Sequence, residues 1–140
     1  MKGLPGLIQL NQWKVDEQRR KVTELEILSE RLADEVTQLQ SDIEREGRNS
    51  GDNMESSRAY SAFLSGAMAQ RETLRGSIAD LQLQISAAKD DLADAYRELK
   101  SYEVAQAKRD TREARKQELR DRVKMDEIGM SMFRRKSGAV

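Results

Sequence analysis

The sequence predicts an all-α chain in which two long helices form an antiparallel coiled-coil hairpin, with helix 2 extending beyond helix 1 as a charged C-terminal tail. Three observations carry this. First, of 140 residues 36 % are charged, 37 % hydrophobic and 4 % aromatic, whereas ordinary globular domains are about 45–50 % apolar and about 25 % charged. That apolar share is lean for a three-dimensional core and sufficient for a line-shaped one. Second, apolar residues recur with alternating spacings of four and three along two long stretches, the mark of a seam buried against a partner helix. Third, the residues Gly47 to Asn53 (Gly-Arg-Asn-Ser-Gly-Asp-Asn) form a dense cluster of turn formers between those stretches, and the chain holds only one Pro, Pro5. The whole of 1–140 therefore reads as a single coiled-coil hairpin.

Helix 1 is expected over about 5–46. Its seam is Leu4, Ile8, Asn11, Val15, Gln18, Val22, Leu25, Ser29, Leu32, Val36, Leu39 and Ile43. All but Asn11, Gln18 and Ser29 are apolar, and polar residues in a seam cost stability while penalising slipped pairings. The turn is expected over 47–56, centred at Gly51 and Asp52. Helix 2 follows over about 57–128, with the seam Tyr60, Leu64, Ala67, Arg71, Leu74, Ile78, Leu81, Ile85, Ala88, Leu92, Ala95 and Leu99, where Arg71 alone is not apolar. Folding about the turn is expected to set Ile43 against Tyr60, Val22 against Leu81 and Leu4 against Leu99. The alternative for the same pattern is an intermolecular coiled coil, and the short connection favours the hairpin.

Past Leu99 the chain has no internal partner in that register, and the basic tail is placed at 108–140. A net charge of zero conceals a split. Residues 1–107 carry 14 basic and 19 acidic side chains, residues 108–140 carry 11 and 6. Pairs such as Glu113/Lys116, Glu118/Arg122 and Asp121/Lys124 can keep the stretch helical, each worth a few tenths of a kcal/mol. An apolar stripe of Leu119, Val123, Met130 and Phe133, widened by Met125, Ile128 and Met132, runs beside Arg134, Arg135 and Lys136. Such a stripe asks for a cover, and a protein socket suits it better than nucleic acid, whose recognition draws on aromatics interleaved with basic residues.

Catalysis is not expected. No Cys and no His are present, which removes thiolate nucleophiles, zinc clusters and the commonest general base. Phosphate-binding loops and calcium-loop carboxylate spacings are missing, so no metal and no cofactor are expected. Acidic neighbours such as Asp16/Glu17 and Asp90/Asp91 point about 100° apart on a helix and read as solvated flanks. No apolar run reaches the roughly 20 residues of a membrane span and the first residues lack the apolar stretch of a secretory signal, so a cytoplasmic protein is expected.

The end Lys124-Met125-Asp126-Glu127-Ile128 followed by Phe133-Arg134-Arg135 resembles the closing motif of the flagellar FliJ family. Leu7-x-x-Leu10-x-x-x-Lys14-x-Asp16-Glu17 is similar to the family's start, and Tyr60-x-x-Phe63-Leu64 to its post-turn segment. The resemblance implies a non-catalytic, cytoplasmic component of the flagellar type III export apparatus, associated with it at the inner membrane and touching the membrane only through it. It further implies a stalk-like coiled coil that docks in the hexameric ring of the export ATPase, promotes its assembly and activity, and links it to the export gate protein and to export chaperones. Carried over by position, the ring-facing residues are Leu7, Leu10, Lys14, Arg122, Val123, Asp126, Glu127, Phe133, Arg134 and Arg135, to which the apolar stripe adds Leu119. The gate-facing residues are Tyr60 and Phe63. Asp42 and Glu46 stand where family members can carry aromatics. Alternative readings are the equivalent stalk of a virulence type III secretion system, or a basic-tailed coiled coil that binds nucleic acid; no nucleic acid is expected for the leading reading.

Overall fold

The structure, a computed structural model, describes residues 3–51 and 53–138. Asp52, one of the two residues at the centre of the expected turn, and the last two residues of the expected tail lie outside the described residues. Two helices, α1 (Gly3–Asn49) and α2 (Met54–Gly138), pack against each other and hold nearly all of the described chain. Both are longer than the sequence pattern alone suggests. Pro5 falls in the first turn of α1, where a missing N–H removes a donor that has no intrahelical acceptor anyway. α1 ends as the Ser50 amide donates to the Glu46 carbonyl at 2.9 Å and the Ser50 hydroxyl to the Gly47 carbonyl at 2.9 Å. α2 starts on an N-cap: the Ser56 amide donates to Asn53 Oδ1 at 2.8 Å, and Glu55 lies in the positive first turn.

The chain divides into two compact units, one of Trp13–Tyr96 and one of Met1–Gln12 with Arg97–Val140. In the Trp13–Tyr96 unit the core is a line. Every expected seam position there is buried or half-buried, from Val15 to Ile43 on α1 and from Tyr60 to Ala95 on α2. Leu39, Ile43 and Ala67 make one buried cluster, with Leu64 and Leu74 packed against it. Full burial of an aliphatic side chain is worth about 1.5–3 kcal/mol, so a succession of such layers is what holds the pair together.

The register differs from the expected one by a heptad. Gln82 Nε2 donates to the Ser29 hydroxyl at 3.2 Å, Arg71 donates to Gln40 Oε1 at 2.9 Å, Lys89 pairs with Glu26 at 3.4 Å, and Arg19 donates to the Tyr96 hydroxyl with its guanidinium 5.6 Å from the ring centroid. With Ile43 opposite Tyr60, Ser29 would face Leu74, about 12 Å along α2 from Gln82 at 1.5 Å per residue. Glutamine and serine side chains cannot bridge that. With Ile43 opposite Ala67, Ser29 faces Leu81 and all four contacts fall within reach of side chains that lean toward their own N-termini. Val22 then faces Ala88, not Leu81.

Tyr60 supplies a physical reason for the slip. Its ring lies against Gly47, where a β-carbon would sit 3.0 Å from the phenol oxygen, so the bare backbone of α1 seats the ring and small Ala67 is left to meet Ile43. Polar layers are met in part from the seam's exposed flanks, Arg71 by Gln40 and Ser29 by Gln82, while Gln18 keeps a buried Oε1 without a hydrogen-bond partner.

In the other unit Gly3–Gln12 packs on the start of the Arg97–Gly138 stretch. The shifted register continues there: Asn11, 2 % exposed, belongs with buried Leu99, while Leu4, Ile8, Tyr102 and Gln106 are half-buried. Asn11 Nδ2 donates to the Leu7 carbonyl at 2.8 Å, leaving Oδ1 unpartnered. Cover on α2 thus persists to Gln106, seven residues beyond the expected last layer, and every described residue from 107 to 138 is exposed.

Candidate functional site

The segment 107–138 is a helix with nothing packed on it among the described residues. Its own side chains hold it in part. Arg122 pairs with Glu118 at 3.0 Å and Lys116 with Glu113 at 3.9 Å, both expected, whereas Asp121 accepts from Gln117 Nε2 at 3.2 Å and Thr111 donates to the Ala107 carbonyl at 2.9 Å. Exposed pairs of this kind add only tenths of a kcal/mol each.

Leu119, Val123, Met130 and Phe133 are each more than half exposed, Phe133 at 71 %. At 100° per residue they share an arc of about 80°. Asp126 lies inside that same arc. Met125, Ile128 and Met132, also more than half exposed, form a second ridge on another side of the helix, so they do not simply widen the first stripe. Gly129 lies between the ridges. It floors a shallow depression bounded by Met125, Asp126, Met130, Phe133 and Arg134. A second depression is lined by Leu119, Arg120, Val123 and Lys124. Arg120, Lys124, Glu127, Arg134 and Arg135 occupy the remaining, charged arc. The adjacent acids Asp126 and Glu127 therefore lie in different surroundings: Asp126 lines the mostly apolar depression that Arg134 also borders, and Glu127 lies outside it.

The ring-facing residues inferred from the resemblance do not form one patch. Leu7 is half-buried and Leu10 is 40 % exposed, both beside the layers of Tyr102 and Leu99. Leu119 is 17 residues beyond Tyr102 and Phe133 is 31, or about 25 and 46 Å along the helix. Lys14 is exposed in the Trp13–Tyr96 unit. Arg122, Val123, Asp126, Glu127, Phe133, Arg134 and Arg135 are all exposed on the one tail helix.

The pair that the resemblance implies for the export gate sits beside the turn. Tyr60 is half-buried with its hydroxyl against Gly47, and Phe63 is 38 % exposed. Together they line a groove with Glu46, Asn49, Ser50, Ser56 and Ala59. The sequence pattern marks Gly47 only as the start of the expected turn, whereas it lies inside α1 against Tyr60, and it does not single out Gly129. A glycine inside a long helix, where it costs about 1 kcal/mol relative to alanine, is the available signal for both.

No helix among the described residues is long and apolar enough to cross a membrane. Neither the curated proteins nor the solved structures hold a match to this chain. A family model does match, that of the flagellar FliJ protein, over residues 1–138. With nearly the whole chain covered and the two-helix packing in agreement, the chain belongs to the flagellar FliJ family.

Proposed function

We propose that this protein is a stalk that docks its C-terminal helix in the hexameric ring of the flagellar export ATPase, promotes ring assembly and activity, and links the ring to the export gate and to export chaperones. Family membership makes the chain a flagellar-type export component of structural kind. The observation that carries the finer reading is the tail itself, with Leu119, Val123, Met130 and Phe133 all bare on a helix that is rich in arginine and lysine. Apolar surface of that extent on an otherwise highly charged helix gains stability only by being covered. Phe133 and the neighbouring Arg134 are the kinds of side chain that dominate interfaces. Phe63, with Tyr60 behind it, is the surface proposed for the gate. The working place is the cytoplasmic side of the export apparatus at the inner membrane.

Binding of the purified protein to the cognate export ATPase tests this. Phe133→Ala with Arg134→Ala is expected to weaken binding by about thirtyfold or more, a loss on the order of 2 kcal/mol. Wild-type binding is expected to survive moderate salt. Binding to nucleic acid with a steep salt dependence, and none to the ATPase, would favour the basic-tailed alternative.

A further inference from the structure

Asp126 lies in the same arc as Leu119, Val123, Met130 and Phe133, yet among the described residues it makes no hydrogen bond or ion pair. Its own helix has little to offer. Four residues before it Arg122 is engaged by Glu118 at 3.0 Å, three before is Val123, three after is Gly129 and four after is Met130. In the free chain water solvates the carboxylate. Once the stripe is covered that water is lost, and an ionised carboxylate left without a partner among apolar groups is strongly disfavoured. A cover that were merely apolar would therefore be rejected at this position.

Gly129 adds an independent observation. A β-carbon there would meet nothing within 4 Å, so no contact among the described residues accounts for glycine at an exposed helix position that favours alanine. What the missing side chain leaves is a bare strip of backbone next to Asp126, walled by Met125, Met130 and Phe133 and bordered by Arg134, which makes no ion pair with Asp126 among the described residues. We infer that this notch receives a cationic side chain, arginine or lysine, from the partner surface that covers the stripe, its stem lying on Gly129 between the apolar walls and its head pairing with Asp126. The inference rests on the docking reading and names the chemistry of the socket. Arginine and lysine both combine an apolar stem with a charged tip, which is the combination the notch presents in reverse. Glu127, about 100° away on the helix, does not line the notch.

The test is calorimetric titration of the full-length protein into the cognate export ATPase, with circular dichroism as the control for helix content. Asp126→Leu continues the apolar stripe, and a purely apolar socket would bind it as well as or better than wild type. The expected result is at least a tenfold loss, with Glu113→Leu, an exposed tail acid paired only with Lys116, within threefold of wild type and Gly129→Leu, which fills the notch, weakened like Asp126→Leu. Wild-type or tighter binding by Asp126→Leu overturns the cationic notch while leaving docking intact. If removal of residues 119–140 leaves binding unchanged, the docking reading itself fails, so the two failures are distinguishable.

Discussion

A pair of engineered cysteines decides the register of the seam. The protein has no cysteine of its own, so every bridge formed is the designed one. In the observed register Val22 faces Ala88, both buried. Leu81 lies seven residues earlier, about 10 Å along α2. Disulfides need Cα atoms about 4.4–6.8 Å apart, so a helix displaced by a heptad cannot close one without sliding. Val22→Cys with Ala88→Cys should therefore oxidise within one chain, and Val22→Cys with Leu81→Cys should stay reduced or link different chains. Chain-entropy reasoning gives about 4 kcal/mol for a bridge enclosing a loop of this length, before strain. That corresponds to a rise in Tm on the order of 10 °C. Non-reducing gels with peptide mass mapping identify the bridge, and thermal unfolding with and without reductant measures the gain. Intramolecular closure of the Val22/Leu81 pair, and not of Val22/Ala88, would refute the register.

Three further outcomes follow from the packing. Asn11→Leu removes a buried amide oxygen that has no partner, and urea unfolding should show a gain of about 1–2 kcal/mol; a loss would mean that the polar atom is satisfied. Gly66→Ala and Gly76→Ala, at positions where an added β-carbon meets open space, should each add about 0.5–1 kcal/mol by the same measurement. Gly47→Leu should cost about 1–3 kcal/mol by displacing the Tyr60 ring, and most of that cost should vanish in a Tyr60→Ala background, as a double-mutant cycle would report.

The heptad spacing makes the fold class and the seam readable in the sequence, because a narrow buried stripe leaves its period in the residue types. Every expected seam residue, from Leu4 to Ile43 and from Tyr60 to Leu99, is buried or half-buried. The same period hides the register. Sliding one helix by seven residues returns seam residues to seam residues, so pattern alone cannot separate Ile43 against Tyr60 from Ile43 against Ala67. What separates them is particular: a tyrosine that needs a glycine opposite, and polar side chains such as Ser29 and Gln82 that must meet. The helix ends are hard to read for a related reason. Arg109 and the charges that follow signal the loss of the seam, yet propensity and spaced charge pairs carry the helix on through residue 138. At the tail, Leu119, Val123 and Phe133 are legible as a stripe. That Asp126 and Glu127 part company there follows from the helical angle, while the depression at Gly129 takes shape only from the side chains that wall it.

Stimulation of the cognate export ATPase tests the stalk account most directly. The wild-type chain and a chain lacking residues 119–140 should unfold at nearly the same temperature, because cover on α2 ends at Gln106 and the tail adds nothing to the seam. Added to the ATPase at equal concentrations, the full chain should raise both turnover and the fraction of enzyme sedimenting as hexamer, and the shortened chain should raise neither. If the shortened chain stimulates the ATPase as strongly as the full one, the tail is not the docking element and the stalk account is wrong.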